Sequence, residues 1–400
     1  MRKFNPYRNL FYYYRGSTSG QKQFEKQLED NTTKALINTI EFTSNSLLFL
    51  FLSALNIPIK NKYKPNYDLQ VSGEFSRPDA LITLGKSNIF IESKIDASLD
   101  LKQIKKHLKS IDDDYLVCIT PREKDSLKLR SINYSKLRFI TWQKIYEVFS
   151  AYTTSHGRKN NNLVLNQYLK YLESINMAPF NGFQKEDFDS FLHIEDDPKR
   201  EIRSIVKNKF KKYLEELYGE LKKDKLFKKL DYSIGNLRQD SKAVWGIICK
   251  RPMNNKVQKP QFHFSLDRNC FRIGIMVEGK KPAKRMNKKI MTSPQSFYKI
   301  IKKLNGFVLE IKNKVNIDNI PKTFIHYPVA TIKLGKEITM EDVDYIANKA
   351  SHFNLFMFYC YKEIPRDDKM LQSKRFINAS KKFLTQTVPY YMFADEDSVL

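Results

Sequence analysis

The stretch "RPDALITLGKSNIFIESK", residues 77–94, decides the fold of the N-terminal half of the chain. Two short apolar runs flank Gly85-Lys86, and this pattern predicts a β-hairpin with a two-residue turn. In that register Leu84 pairs with Ser87, and every residue further out along the two strands has a defined partner. The hairpin therefore predicts which side chains meet at its open end.

Two acids and an amine fall at that open end. Counting outward from the turn places Asp79 directly opposite Glu92, with Cβ atoms about 5 Å apart on one face of the hairpin. Lys94 points to the same face because side chains alternate along a strand. A turn one residue longer would pair Asp79 with Ser93, still within diagonal reach of Glu92 and Lys94. Two carboxylates and one ammonium are thus expected at a single spot.

This set of side chains is suited to a hard divalent cation. Mg²⁺ takes one or two carboxylates and fills its other positions with water and phosphate oxygens. Such a metal polarises a phosphoryl group and lowers the pKa of a bound water, while a lysine orients that water or stabilises developing negative charge. The plain alternative is an exposed strand end, where Glu and Lys are common. The apolar "IFI" before Glu92 instead favours an interior strand, where an unpaired acid is costly.

The elements around the hairpin predict an α/β fold. Apolar residues recur at helical spacing from Phe24 to Leu55, which indicates one long helix or two helices broken near residues 43–46. A polar loop is expected over residues 57–70. After the hairpin, the pattern predicts a helix over 98–110, strands over 115–120 and 137–142, and helices over 143–152 and 163–177. This order describes a mixed sheet flanked by helices.

Pro78-Asp79, followed by Glu92-Ser93-Lys94 at the end of the second strand, resembles the PD-(D/E)xK nuclease superfamily, which has the restriction-endonuclease-like fold. The resemblance covers about residues 10–175. It implies a Mg²⁺-dependent endonuclease, for which Mn²⁺ can substitute, with DNA as the favoured substrate and products that carry a 5′-phosphate. It also implies that Asp79 and Glu92 bind the metal and that Lys94 positions or activates the water.

The same resemblance implies two further members of the site. Glu29, in "LEDNTTKAL", is the acid expected on the N-terminal helix, where it would add a third metal ligand. Gln103, in "LKQIKKHL", is the glutamine expected on the helix after the lysine strand, where it would orient the site or a phosphate. His107 lies four residues further on the same helical face, although a lone helical His is more often a surface or satisfied core residue. Four lysines surround that face and are suited to phosphate contacts, namely Lys102, Lys105, Lys106 and Lys109.

The net charge limits the classes of binding partner, and the cysteine content indicates the cellular compartment. The formal net charge is +26, which indicates a polyanionic partner: nucleic acid first and an anionic membrane second. A membrane-surface protein would need a basic amphipathic helix with a wide apolar face, and none is evident. The most hydrophobic window, residues 46–55, is too short to span a bilayer. The 4 cysteines are widely scattered, with no zinc-like spacing, as expected for reduced thiols in the cytoplasm.

The C-terminal half predicts a separate α+β domain. We place the nuclease-like domain at residues 1–177, the boundary at 178–183, and a domain for recognition or sensing at 184–400. The second half opens with a helix for which Asp197 is the expected N-cap, and strands follow at 243–250, 261–266 and 270–279. Helices are expected over 294–304, 340–350 and 371–384, and a strand over 355–361. The basic run "KKPAKRMNKK", residues 280–289, is equally compatible with a solvated surface and with a nucleic-acid backbone site.

Two functions remain open at this level. The first is the endonuclease, which resembles modules of bacterial restriction and anti-phage defence and would need two active sites, as in a homodimer, to cut both strands. The second is a subunit of a defence complex that binds or senses nucleic acid without cutting. The intact set of two acids and a lysine favours the first. Whether DNA or RNA is cut, and with what sequence specificity, is left undecided.

Overall fold

The computed structural model describes residues 10–11, 21–58, 63–69, 77–95, 99–155, 162–191, 200–228, 232–235, 237–250, 259–316, 324–351 and 354–395. The chain divides into two compact units, residues 1–179 and 180–400, and the division falls within the segment 178–183. The expected N-cap Asp197 lies outside the described residues. Among the described helices, none is long and apolar enough to cross a membrane.

The first unit is built from six helices and five strands within the described ranges. Its helices are α1 (Gln21–Thr43), α2 (Asn45–Ala54), α3 (Leu101–Ser110), α4 (Asp125–Leu129), α5 (Trp142–Ser155) and α6 (Leu163–Ser174). Its strands are β1 (Pro65–Leu69), β2 (Ala80–Leu84), β3 (Ser87–Ser93), β4 (Tyr115–Thr120) and β5 (Leu137–Thr141). They form one mixed sheet in the order β1-β2-β3-β4-β5. The first two pairings are antiparallel, and the pairings of β3 with β4 and of β4 with β5 are parallel. The predicted α/β class, a mixed sheet flanked by helices, is confirmed.

Helices cover both faces of this sheet. Ile89 and Ile91 of β3 belong to a core shared with α1, α2, α5 and α6. Phe90 points to the other face and packs in a second core with Ile104 of α3. This alternation along β3 follows from the pleat of a strand that is buried on both faces. The C-terminal end of β3 consequently lies between α1 on one side of the sheet and α3 on the other.

The structure tests two local predictions in this unit, the helix before residue 55 and the loop after it. The helical pattern before residue 55 forms two helices, because Ser44 breaks it and caps α2 by accepting a hydrogen bond from the Leu47 N–H at 3.3 Å. The loop predicted over residues 57–70 is wrong at 65–69, where β1 pairs with β2. This strand forms the edge of the sheet and is mostly exposed, so "PNYDL" has no buried alternation for a sequence pattern to detect.

The second unit has an antiparallel sheet with helices packed on it. The helices are α7 (Lys185–Asp189), α8 (Arg200–Lys223), α9 (Lys225–Lys228), α10 (Lys280–Thr292), α11 (Pro294–Ile301), α12 (Met340–Ala350) and α13 (Arg375–Ala394). The strands are β6 (Tyr232–Ile234), β7 (Arg238–Gln239), β8 (Ala243–Lys250), β9 (Gln261–Asp267), β10 (Cys270–Glu278), β11 (Val308–Asn316), β12 (Phe324–Lys333) and β13 (Leu355–Pro365). The strand order is β12-β11-β13-β10-β9-β8-β6, with β7 also paired to β8. The predicted α+β character is confirmed, although the pair β11 and β12 was not predicted.

Candidate active site

The hairpin that opens the site has the predicted register. Leu84 pairs with Ser87 and Ala80 with Ile91, so the turn contains two residues. Gly85 occupies it with a φ of 62°, a left-handed conformation that glycine adopts without steric cost. Beyond the last pair, the backbone N–H of Asp79 donates to the Ile91 carbonyl at 2.9 Å. Asp79 is therefore held beside the end of β3.

Glu92 is the most buried member of the site. Its side chain has no exposed surface, and it receives three hydrogen bonds from three different side chains. Lys94 Nζ and Gln103 Nε2 each lie 2.6 Å from Oε1. His107 Nε2 lies 3.0 Å from Oε2, within hydrogen-bond distance. These bonds compensate the cost of burying the charge.

Lys94 joins the two glutamates of the site. Its ammonium lies 2.8 Å from Glu29 Oε1 and 2.6 Å from Glu92 Oε1. Burial alone would lower the pKa of Lys94, but the charge of Glu92 and the hydrogen bonds to both carboxylates raise it above its usual value. The side chain is thus a fixed cation. Its backbone is held as well, since the Trp142 indole N–H donates to the Lys94 carbonyl at 2.9 Å.

Glu29 reaches the site from α1, on the opposite side of the sheet from α3. One turn further along α1, the Thr33 hydroxyl lies 2.6 Å from the Ser93 hydroxyl in β3, which holds the helix against the strand end. Burial raises the pKa of Glu29, and the hydrogen bond from Lys94 opposes that increase. The predicted acid on the N-terminal helix therefore lies in direct contact with the predicted lysine.

Asp79 completes an acidic cluster. Its Oδ2 accepts the Ser93 backbone N–H at 2.8 Å. One carboxylate oxygen each from Glu29, Asp79 and Glu92 lie within 4.8 Å of one another. Burial, followed by the nearby charge of Glu92, raises the pKa of Asp79 to about 7. Lys94 contacts two of the three carboxylates. Above the raised pKa of Asp79 the cluster therefore has an excess of negative charge, and a further cation would be stabilising.

Helix α3 supplies Gln103 and His107 to the site. Asp100 caps the helix by accepting the Lys102 N–H at 2.8 Å, and the buried Ile104 anchors it to the sheet. The spacing of four residues puts Gln103 and His107 one above the other, where both contact Glu92. His107 is only 1% exposed. From the sequence, His107 was expected to be an ordinary helical histidine. Its position four residues after the expected glutamine was the available signal that it joins the site.

The lysines of α3 face solvent beside this cluster. Lys102, Lys105, Lys106 and Lys109 are all exposed, whereas Gln103 and His107 point toward Glu92. The helix therefore has an acid-contacting face and a cationic face. An anionic polymer lying along the cationic face would bring a phosphodiester near the acidic cluster.

All five residues singled out from the sequence, Glu29, Asp79, Glu92, Lys94 and Gln103, lie in this one cluster. The structure adds His107 to them. A cysteine nucleophile is disfavoured here, because Cys118 lies beside Glu92 in β4 and burial raises its thiol pKa. Neither a protein-family model nor a curated protein matches the chain.

Proposed function

We propose that this protein is a Mg²⁺-dependent endonuclease of the PD-(D/E)xK type that hydrolyses phosphodiester bonds, with DNA as the favoured substrate. The observation that carries the proposal is the grouping of three carboxylates with oxygens within 4.8 Å of one another around one lysine. The lysine contacts two of those carboxylates directly. Hard carboxylate oxygens beside a fixed ammonium are the groups that metal-assisted phosphodiester hydrolysis requires.

The donor set fits magnesium better than a softer metal. Glu29, Asp79 and Glu92 offer only oxygen ligands, with no thiolate among them. Asp79 makes its hydrogen bond through Oδ2, which leaves Oδ1 for a cation. When bound, Mg²⁺ would offset the excess negative charge, polarise a phosphoryl oxygen and lower the pKa of a coordinated water. Mn²⁺ prefers similar ligands and is expected to substitute.

The surrounding side chains have separable roles. Lys94 holds a positive charge next to the carboxylates, where it would orient the attacking water and stabilise the charge that develops on the phosphate. Gln103 and His107 hold Glu92 from one side, so the carboxylate keeps its orientation. The exposed lysines of α3 would hold the sugar-phosphate backbone. Lys94 is the lysine that contacts the acidic cluster among the described residues, so its loss should affect chemistry most directly.

The run at residues 92–108, with the strand 115–120 after it, resembles nuclease modules of bacterial restriction and anti-phage systems. We assign the enzyme to restriction or anti-phage defence in the cytoplasm, in keeping with its free cysteines, which are typical of a reducing compartment. Cutting both strands of a duplex would require two copies of the site, as in a homodimer or with a defence-system partner.

A cleavage assay with matched variants tests the proposal. Purified protein is incubated with supercoiled plasmid and Mg²⁺ beside Asp79→Ala, and beside Asp68→Ala, which removes an exposed acid of β1 in the same unit. We expect cutting by the wild type and by Asp68→Ala, loss of cutting in Asp79→Ala, and restoration of wild-type activity by Mn²⁺ after chelation. Equal nicking by all three proteins would contradict the proposal. Absence of cutting by the wild type, with plasmid still bound, would favour the non-cleaving sensing subunit.

A further inference from the structure

The segment from Gly279 to Leu309 has an unusual charge composition. It contains 9 Lys and Arg and no Asp or Glu. Helices α10 and α11 account for most of this segment, including the basic run "KKPAKRMNKK". A run of like charges of this length repels itself, and a polyanion would relieve that repulsion.

Helix α10 separates its apolar and basic residues onto opposite faces. Its buried positions are Pro282, Ala283, Met286, Asn287 and Ile290. Lys281, Lys284 and Lys288 are exposed, and their spacings of three and four residues put them on one stripe about 10 Å long. We name these three residues the α10 stripe. On α11 and just after it, Lys299, Lys302 and Lys303 are also exposed, while Phe297 and Ile301 are buried.

The α10 stripe carries charge that no carboxylate of the described residues neutralises. Within the described part of the chain, none of its three lysines forms an ion pair with a carboxylate. Elsewhere in the second unit lysines do pair, for example Lys209 with Asp187 at 2.7 Å and Lys223 with Glu220 at 2.6 Å. The neighbouring Lys289 has a structural role, since it donates to the Phe393 and Asp395 carbonyls at the end of α13. Among the residues that the structure describes, no carbonyl accepts a hydrogen bond from a stripe lysine.

We propose that the α10 stripe binds the phosphodiester backbone of a nucleic-acid duplex. Lysines on a straight helix face contact phosphates without reading bases, so the surface would bind independently of sequence. A lipid surface fits less well, because α10 turns its apolar face into the core and a membrane-bound helix must expose that face. The proposal gives the second unit a role in holding substrate, and it relies on the proposed function only for the choice of DNA as the polyanion.

Equilibrium binding in EDTA tests this surface without cleavage. The full-length protein is titrated into a fluorescently labelled 30-base-pair DNA duplex at several salt concentrations, and anisotropy is measured. The test variant is Lys281→Gln, Lys284→Gln, Lys288→Gln. The control Lys222→Gln, Lys223→Gln, Lys225→Gln removes the same charge from three exposed lysines around the end of α8, among the acids Glu220 and Asp224. Circular dichroism establishes that both variants are folded.

We expect the α10 variant to bind at least about tenfold more weakly than the control, with the slope of log K against log salt reduced by about 2 to 3. Equal affinity and slope for the two variants would overturn the proposal. The proposal would also be overturned if the wild type bound strongly to vesicles containing phosphatidylserine and did not bind the duplex. Because EDTA removes the metal, this binding result does not depend on whether the wild type cuts plasmid, and the two proposals fail separately.

Discussion

Asp79 decides the charge balance of the acidic cluster. It is half-buried beside Glu92 and makes its hydrogen bond to a backbone N–H instead of to a cation. Asparagine keeps the shape and the oxygen that accepts the Ser93 N–H, but above the raised Asp79 pKa of about 7 it removes one of three neighbouring negative charges. We expect Asp79→Asn to be at least as stable as the wild type in EDTA, because like-charge repulsion is relieved. Thermal unfolding with and without Mg²⁺ measures this, and the stabilisation by Mg²⁺ should disappear in the variant.

The same variant should lose at least about a hundredfold in cleavage rate, because a group that stabilises charge at the reacting centre is gone. Asp68→Asn serves as the control and should change neither property. A destabilised Asp79→Asn protein that still responds to Mg²⁺ would show that Asp79 is a structural residue.

His107 is expected to act as a positioning residue through Glu92. His107→Ala would leave Glu92 Oε2 without its partner in a buried site, which costs about 1–3 kcal/mol in folding free energy. We expect the cleavage rate to fall with little change in the Mg²⁺ concentration at half-maximal rate. His107→Gln retains an N–H donor and should recover part of both losses. If Gln rescues stability and leaves the rate as low as in the alanine variant, the imidazole itself is required.

His263 makes the second unit sensitive to acid. Burial, reinforced by the charges of Lys312 and Arg272, lowers the pKa of His263 to about 3, and its ring lies 2.9 Å from the Tyr359 hydroxyl. Since the unfolded chain binds a proton near the ordinary pKa of 6.5, the native state binds fewer protons between pH 3 and 6.5 and becomes less stable as the pH falls. We expect a loss of about 1.4 kcal/mol between pH 7.5 and 5.5.

Urea unfolding followed by Trp245 fluorescence measures that loss, in a Trp142→Phe background that removes the tryptophan of the first unit. His263→Gln cannot be protonated and should reduce the pH dependence by the stated amount. The same acid dependence in both proteins would assign the effect to other groups.

At the scale of elements, the turn between β2 and β3 controls the site because it sets the register of the hairpin. Gly85 has a φ of 62°, and an added Cβ would lie 2.8 Å from the Tyr63 ring. We expect Gly85→Ala to destabilise the first unit by about 1–2 kcal/mol, since an L-residue is strained in this conformation. Chemical denaturation measures the change, and activity should fall if the register shifts.

Gly219 provides the matched control for this substitution. It lies within α8, and an added Cβ would meet nothing within 4 Å. Gly219→Ala should therefore stabilise the second unit by about 0.5–1 kcal/mol, because alanine favours a helix more than glycine does. Equal effects of the two substitutions would mean that neither the turn conformation nor the Tyr63 contact matters.

At the scale of the whole molecule, each unit has a hydrophobic core of its own. Since a unit with its own core can fold alone, fragments 1–179 and 180–400 should each unfold cooperatively. We expect Mg²⁺ to stabilise only the first fragment and the second to bind duplex DNA through the α10 stripe. Calorimetry and anisotropy measure the two properties. A fragment with no cooperative transition would show that its unit depends on the other half of the chain.

Short-range sequence patterns predicted much of the fold of the first unit and part of the candidate site. The two-residue turn, the pleat of β3 and the helical spacing in α3 are local properties, so the sequence alone determined the hairpin register, the α/β class and the approach of Asp79 to Glu92. The edge strand β1 was missed because it is mostly exposed and has no buried alternation. The pair β11 and β12, which follow each other along the chain, was also missed.

Only the tertiary structure shows how the helices pack on the sheet. This packing brought Glu29 from α1 to Lys94 and placed His107 against the buried Glu92. Glu29 and Lys94 lie 65 residues apart, so no local pattern encodes their contact. Helical spacing placed His107 on the same face as Gln103, but it did not show that this face meets Glu92. The sequence determined which charged groups stand at the end of one strand, and tertiary packing decided which further groups reach them, because burial and charge compensation depend on all the elements around a site.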